Sequence, residues 1–118
     1  MTLVDVISYF DKIRPNTFEF AVKKDWVFKI ETDLKEFAAM HSPQKADLSF
    51  QSQDNPELLL PETEKDIYIY YMASMADMTN GEYSLYSISS TYFNGLLSEW
   101  KRKYRCCNIP GNTKEIKV

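Results

Sequence analysis

Few residues in this 118-residue chain are of types that could do chemistry. His41 is the only histidine, so two imidazoles of one chain cannot bind a metal, and any catalytic set with a histidine would have to use it. His41 follows a predicted helix and precedes Ser42 and Pro43. We therefore expect it to interact with the last carbonyl groups of that helix, and we predict no catalytic role for it.

The two cysteines, Cys106 and Cys107, are adjacent. A disulfide between neighbouring residues closes a strained ring, and no other cysteine is present as a partner. The pair is either a redox-active or metal-binding thiol pair or two incidental cysteines at a helix end. Because no Cys-x-x-Cys spacing or further ligand accompanies them, the sequence favours incidental cysteines and a reducing, intracellular setting.

Two carboxylates, Asp66 and Asp77, fall on one predicted helix. Their spacing of 11 residues corresponds to about 16 Å along the axis, which is too far for joint acid–base catalysis. Asp77 lies among apolar and aromatic residues, so we expect it to accept hydrogen bonds from a tyrosine or from backbone groups near Asn80. The chain has only 3 glycines and no glycine-rich phosphate loop, so we predict no catalytic residue, cofactor or metal, and a protein that is not an enzyme.

The elements that carry these residues are predicted to be helices. The fold class is all-α, with two antiparallel helical hairpins (about four helices) joined by a long loop. The first helix runs from Thr2 to about Lys12, with Thr2 and Asp5 as a capping pair, and Pro15 ends it. Asn16 is predicted to cap a second helix, which continues to about Met40.

The second hairpin begins after Glu62. Thr63 is predicted to cap the third helix, with Asp66 three positions later, and Asn80-Gly81 ends it because glycine readily adopts a positive φ. The last helix runs from about Glu82 to Cys106. Residues 1–106 thus form one helical domain, and residues 107–118 lack periodicity and are predicted to be a flexible tail.

The connection between the hairpins, residues 41–60, contains two short apolar runs, Leu48-Ser49-Phe50 and Leu58-Leu59-Leu60. They either pair as a short β-hairpin or belong to an extended loop. A loop of this length in a small domain is often functional, so we consider it a candidate contact arm.

Apolar spacing predicts which helix faces are buried. The second helix is predicted to bury Phe18, Val22, Trp26, Ile30, Leu34 and Phe37. The third carries one stripe of Ile67, Tyr70, Tyr71, Ser74, Met75 and Met78. In the last helix, Tyr86, Phe93, Leu97, Trp100 and Tyr104 share a face, with Leu85, Ile88, Tyr92 and Leu96 alongside.

Seven of the 8 tyrosines lie in the second hairpin. They form either the edge of the core or a protein–protein interface, in which tyrosine, tryptophan and arginine are enriched. We favour the interface, with Tyr68, Tyr71, Tyr83, Tyr86 and Trp100 as its candidate residues. Structural roles are assigned to Pro15, Asn16, Trp26, Asp77, Asn80 and Gly81.

Charge is divided unevenly along the chain. Residues 1–98 carry 8 basic and 15 acidic side chains, whereas residues 99–118 carry 6 basic and 2 acidic ones. The basic end of the last helix, Lys101, Arg102 and Lys103 with Arg105, either complements the helix dipole or contacts an acidic partner or a second copy. A pI near 5.1 does not favour nucleic-acid binding, and no apolar run is long enough to span a bilayer.

Two segments resemble a family of small proteins of tailed phages and prophages of Gram-positive bacteria. One is Asp11-Lys12-Ile13-Arg14-Pro15-Asn16-Thr17-Phe18, followed by Trp26 and Ile30-Glu31. The other is Leu60-Pro61-Glu62, Asp66-Ile67-Tyr68-Ile69-Tyr70-Tyr71, Asp77, Asn80-Gly81-Glu82-Tyr83, Tyr86, Phe93-Asn94, Trp100 and Tyr104. The family's members resemble head–tail connector proteins (head-completion or adaptor proteins).

The resemblance implies a non-enzymatic virion protein that forms a ring at the portal vertex. It implies as partners the phage portal, neighbouring head–tail proteins and further copies of the chain, with no small-molecule substrate, membrane or nucleic acid. The expected location is the host cytoplasm during assembly and then the head–tail junction of the virion. The alternative is a small helical DNA-binding or regulatory protein of a prophage, with Arg14-Pro15-Asn16 as its only candidate turn between DNA-binding helices.

Overall fold

The computed structural model describes residues 1–41 and 45–108. Four α-helices follow one another along the chain: α1 (Leu3–Ile13), α2 (Phe20–Ala39), α3 (Lys65–Thr79) and α4 (Tyr83–Asn108). Two short 3-10 helices, Ser49–Ser52 and Glu62–Glu64, lie between α2 and α3. No β-strand occurs in the described residues, so the all-α prediction with four helices is confirmed.

The capping pair predicted for α1 is present. Asp5 N donates to Thr2 Oγ1 at 3.3 Å and Thr2 N donates to Asp5 Oδ2 at 3.0 Å, which completes a capping box. The two side chains satisfy backbone N–H groups that the first turn of a helix leaves without partners.

The predicted cap of α2 is wrong. Glu19 is the residue before α2 and makes no side-chain capping bond, whereas Asn16 lies outside the helix. Asn16 Oδ1 accepts from Phe18 N at 3.1 Å, and its amide donates to Asp11 Oδ1 at 2.9 Å. Asn16 therefore shapes the turn after Pro15, where its oxygen accepts from Phe18 N and its amide group donates to Asp11 of α1.

The predicted cap of α3 is also wrong. A single 3-10 turn, Glu62–Glu64, follows Pro61, and α3 begins only at Lys65, with no side-chain capping bond at Glu64. Thr63 thus lies one residue too early to cap α3.

The turn between α3 and α4 is as predicted. Gly81 has φ 74°, Gly81 N donates to Met78 O at 3.1 Å, and Glu82 N donates to Asp77 O at 2.9 Å. This pair of bonds is a Schellman motif, in which the residue after the helix takes a left-handed conformation. Asn80 is the last right-handed residue before it.

The core is centred on α3, which packs against the other three helices. Its buried residues lie around the whole helix rather than on one stripe, and they include Ile67, Ile69, Met72, Ala73 and Ala76. A helix with neighbours on several sides needs apolar residues around its circumference. The single stripe predicted for α3 was therefore too narrow, and Met78, assigned to it, is exposed.

The other helices contribute one face each. Leu3, Val6, Ile7 and Phe10 of α1 and Trp26, Val27, Ile30 and Leu34 of α2 are buried. Phe93 and Trp100 are the buried apolar residues of α4. Val22, predicted for the buried face of α2, is exposed, although it lies in α2 one turn before the buried Trp26.

In the structure, the connection between α2 and α3 continues to residue 64. Its described residues, 45–64, pack against the domain without a β-hairpin. Phe50 is buried edge-on against Phe28, with ring centroids 5.0 Å apart. Leu58 and Leu60 are buried, and Leu58 N donates to Met1 O at 2.9 Å beside an isolated β-bridge between Thr2 and Glu57. Of the predicted tail, residues 109–118 lie outside the described residues, whereas α4 extends to Asn108.

Candidate interaction surface

An ion pair between a buried carboxylate and a partly exposed arginine joins three helices. Asp77 on α3 is buried and accepts from both Nη atoms of Arg14, the residue that follows α1. Ser89 Oγ of α4 donates to Asp77 Oδ2 at 2.9 Å. The predicted partners of Asp77, a tyrosine or backbone near Asn80, are therefore wrong. Its side chain serves to hold α1, α3 and α4 together.

Two opposing effects act on the pKa of Asp77. Burial raises the pKa, but hydrogen bonds from Arg14 and Ser89 and the charge of Arg14 outweigh it, so the pKa is below its ordinary value. Asp77 is thus a stabilised carboxylate rather than a proton donor. Such a group is a structural anchor, since a general acid would need a raised pKa.

A second buried polar cluster joins α2, α3 and the connection. Tyr68 Oη donates to Glu31 Oε1 at 2.5 Å, Leu59 N donates to Glu31 Oε2 at 2.7 Å, and Leu60 N donates to Tyr68 Oη at 3.2 Å. Burial raises the pKa of Glu31, and burial together with the neighbouring Glu31 charge raises that of Tyr68. This cluster was missed, because Glu31 is spaced like any surface glutamate of an amphipathic helix.

The predicted tyrosine interface is divided by the fold. Tyr68 is fully buried and Trp100 is 9% exposed, so neither contributes to a surface patch without unfolding. Tyr71 and Tyr86 are partly buried, and Tyr71 packs against Phe93 at 5.2 Å between ring centroids. Tyr83, at 69% exposed, is the one predicted tyrosine on the open surface.

The basic end of α4 lies on the surface beside the end of α2. Lys101 Nζ lies 5.1 Å from the centre of the Phe37 ring, Arg102 pairs with Glu99, and Lys103 Nζ is 3.9 Å from Glu64 Oε1. Exposed pairs of this kind contribute little to stability. The basic end is therefore available to a partner at small cost.

An exposed apolar stripe runs along the first half of α4. Ile88 is 56% exposed and Tyr92 is 59% exposed, and Leu85 lies one turn before them. The helical spacing predicts these three residues beside the core face of α4. Residues 85, 88 and 92 lie beside the face formed by residues 89, 93 and 100, so the apolar arc of α4 is wider than one packed face needs. This width is the sequence signal that could have predicted the exposed stripe.

The stripe borders a groove of about 490 Å³ between α3, α4 and the end of α1. Its walls are mainly apolar, with Ile13 and Ile69 facing Leu85 and Ile88. Arg14, Asp77 and Ser89 also line it, and Asp66 lies at its edge. Contiguous exposed apolar surface beside a groove marks an interaction site more often than isolated apolar residues do.

The remaining chemically active side chains form no site in the described residues. His41 Nδ1 lies 3.2 Å from Phe37 O, as predicted for a histidine that contacts the last carbonyls of a helix. Cys106 is an exposed free cysteine. Within residues 1–41 and 45–108, no cluster of histidine, cysteine, aspartate and glutamate could hold a metal ion. None of the helices described is long and apolar enough to cross a membrane.

Comparison with protein-family models gives no match, and comparisons with curated proteins and with solved structures give no significant match. The functional argument therefore depends on the surfaces described above.

Proposed function

We propose that this chain is a non-enzymatic structural subunit of a tailed phage or prophage, a head–tail connector or adaptor that assembles as a ring at the portal vertex. The observation that carries the proposal is the presence of two unlike surfaces on one small subunit. One is the apolar stripe and groove formed by Leu85, Ile88 and Tyr92, and the other is the basic end of α4. Subunits that meet head to tail in a closed ring need two such different surfaces.

The charge of the connection between α2 and α3 is complementary to that of the basic end of α4. The described residues 45–64 carry Asp47, Asp54, Glu57, Glu62 and Glu64 against Lys45 and no other basic residue. In the proposal, the basic end of one copy lies against this acidic connection of the next copy, which would set the orientation of neighbours. The helix pairs α1–α2 and α3–α4 would act as two antiparallel hairpins joined by the connection.

The alternative, a DNA-binding regulator, has less support. Its only candidate turn contains Arg14, and the guanidinium group of Arg14 is engaged by Asp77 and by Ala73 O. That arginine is therefore not free to contact phosphate, and α2 after the turn carries acidic as well as basic residues.

The proposal is tested by size exclusion with light scattering, on the protein alone and mixed with the portal protein encoded nearby. We expect a ring or co-elution with the portal. A monomer that does not bind the portal but binds duplex DNA tightly at low salt would overturn the proposal in favour of the regulator.

A charge-reversal variant addresses the surface itself. Changing Lys101, Arg102 and Lys103 to glutamate is expected to weaken assembly at least tenfold without unfolding the subunit, because it replaces attraction to an acidic neighbour by repulsion. The matched control changes three lysines outside both proposed surfaces, Lys12, Lys24 and Lys29, to glutamate. Equal assembly of both variants would show that the basic end only complements the helix dipole.

A further inference from the structure

The groove between α1, α3 and α4 has no occupant within its own subunit among the described residues. It is lined by Ile13, Ile69, Leu85, Ile88 and Tyr92, and three of these side chains, Ile13, Ile88 and Tyr92, are more than half exposed. A volume of about 490 Å³ is in the range of sites that hold a ligand or a short peptide segment. The groove therefore has the size and the apolar character of a docking site.

Two further carboxylates lie in or near the groove. Asp66, at the start of α3, lines it, and Glu82 lies one turn before the lining residue Leu85 and acts electrostatically on Arg14. Both residues are exposed, and neither forms an ion pair with another described residue. Arg14, in the floor, is already neutralised by Asp77. The groove thus favours an apolar segment that carries positive charge.

We propose that residues 109–118 of a neighbouring copy occupy this groove. The sequence of this segment is Ile-Pro-Gly-Asn-Thr-Lys-Glu-Ile-Lys-Val, with Ile109, Pro110, Ile116 and Val118 as apolar groups and Lys114 and Lys117 flanking Ile116. Isoleucine in the apolar groove with lysine beside Asp66 or Glu82 would satisfy both features of the site. The inference rests on the proposed self-association, because it needs a second copy.

Helix length favours a neighbouring copy over the same copy. Ile88 lies 20 residues before Asn108 on one continuous helix, which corresponds to about 30 Å. Ile116 is eight residues beyond Asn108, and a fully extended chain of that length spans at most about 26–29 Å. Ile116 could therefore reach the groove of its own subunit only if residues 109–116 ran almost fully extended back along α4. If the basic end of a neighbouring copy lies against this subunit, the segment of that copy does not have to run back along α4 to reach the groove.

The test uses a labelled synthetic peptide of residues 109–118 and full-length protein. The receptor is the full chain with Ile116→Asp, so that its own segment does not compete for the groove. We expect saturable binding in fluorescence anisotropy, and we expect Ile88→Asp in this receptor to weaken it at least about tenfold, because a carboxylate is costly in an apolar groove. Val22→Asp is the matched control: Val22 is 37% exposed in the first turn of α2 and lies outside the groove, and binding should change less than about twofold.

Full-length assembly provides the second readout. Ile88→Asp and Ile116→Asp should each reduce self-association measured by light scattering, whereas Val22→Asp should not. Absence of peptide binding, or binding that Ile88→Asp leaves unchanged, overturns the inference. Circular dichroism checks that all variants are folded.

The outcomes separate this inference from the proposed function. If the chain forms a ring or binds the portal while the groove variants have no effect, the connector proposal stands and the inference fails. If the peptide binds the groove as expected but the chain neither self-associates nor binds the portal, the groove's preference for this segment stands and the connector proposal fails.

Discussion

Arg14 and Asp77 show how a single side-chain pair decides the arrangement of three helices. They are 63 residues apart in sequence, and Asp77 is 1% exposed while its partner reaches the groove. Desolvating a carboxylate costs free energy unless charge and hydrogen bonds compensate, and here Arg14 and Ser89 provide both. Removing the charge should therefore destabilise the helix junction.

Asp77→Asn is expected to lower the free energy of unfolding by about 2 kcal/mol at neutral pH, because it leaves a guanidinium group without its counter-charge. The measurement is urea unfolding followed by circular dichroism. Asp25→Asn, an exposed residue of α2, is the control and should change stability by less than about 0.5 kcal/mol.

The pH dependence of this difference has a definite sign. The pKa of Asp77 is lower in the folded protein than its ordinary value of 3.8, so its contribution is present above pH 3.8 and is lost as the pH falls through the folded pKa. The gap in stability between wild type and Asp77→Asn should shrink below pH 3.8. A gap that stays constant down to the acid-unfolding limit would contradict the role of the Asp77 charge.

The stability contribution of Glu31 depends on pH with the opposite sign. Burial raises its pKa above 4.5 in the folded protein, so the stability associated with its protonated form is present below pH 4.5 and is lost as the pH rises through the folded pKa. Glu31→Gln, which cannot ionise, should be more stable relative to wild type at pH 7 than at pH 4, because only wild type loses this contribution as the pH rises. Urea unfolding at both pH values measures it, with exposed Glu36→Gln as the control.

At the scale of elements, the ends of the helices differ in how well local sequence predicts them. The capping box of α1 and the Schellman motif after α3 are formed by residues within six positions of one another, and both were predicted. The starts of α2 and α3 were not. Asn16 is drawn to Asp11, and Lys23 of α2 also pairs with Asp11 at 2.8 Å, so the entry to α2 depends on α1.

Two glycines of the second helix pair give a matched test of backbone conformation. Gly81 has φ 74°, which an L side chain rarely adopts, whereas Gly95 lies within α4, and no other atom lies within 4 Å of a β-carbon built at either site. Gly81→Ala should destabilise by about 1–2 kcal/mol. Gly95→Ala should stabilise by about 0.4–1 kcal/mol, because it improves helix propensity.

Thermal and urea unfolding of both variants would measure these changes. Steric clash cannot explain a difference between them, since both positions are open. Equal effects of the same sign would contradict the role assigned to the turn.

At the scale of the whole molecule, the subunit is elongated, with dimensions of 50 × 33 × 20 Å. The apolar groove and the basic end of α4 are separated along the length of that helix. Surfaces separated in this way can contact two different neighbours at once, as a ring requires.

The proposed charge contact predicts a dependence of assembly on salt. Raising NaCl from about 0.05 M to about 0.5 M should weaken wild-type self-association about fivefold or more, because it screens exposed charges. The variant with glutamate at positions 101–103 should be less sensitive to salt, and sedimentation velocity would measure both. Assembly that strengthens with salt would indicate that the apolar groove alone drives it.

The sequence by itself determined the helical fold class, the cap of α1, the glycine turn after α3 and the contact of His41 with the end of α2. These features depend on residues a few positions apart, and local spacing records them directly. Only the tertiary structure decided that Tyr68 and Glu31 share a buried cluster, that Arg14 binds Asp77, and that Ile88 remains exposed. Each of these depends on which faces meet across distant segments, and a helical repeat gives the period of a face but not the neighbour that covers it.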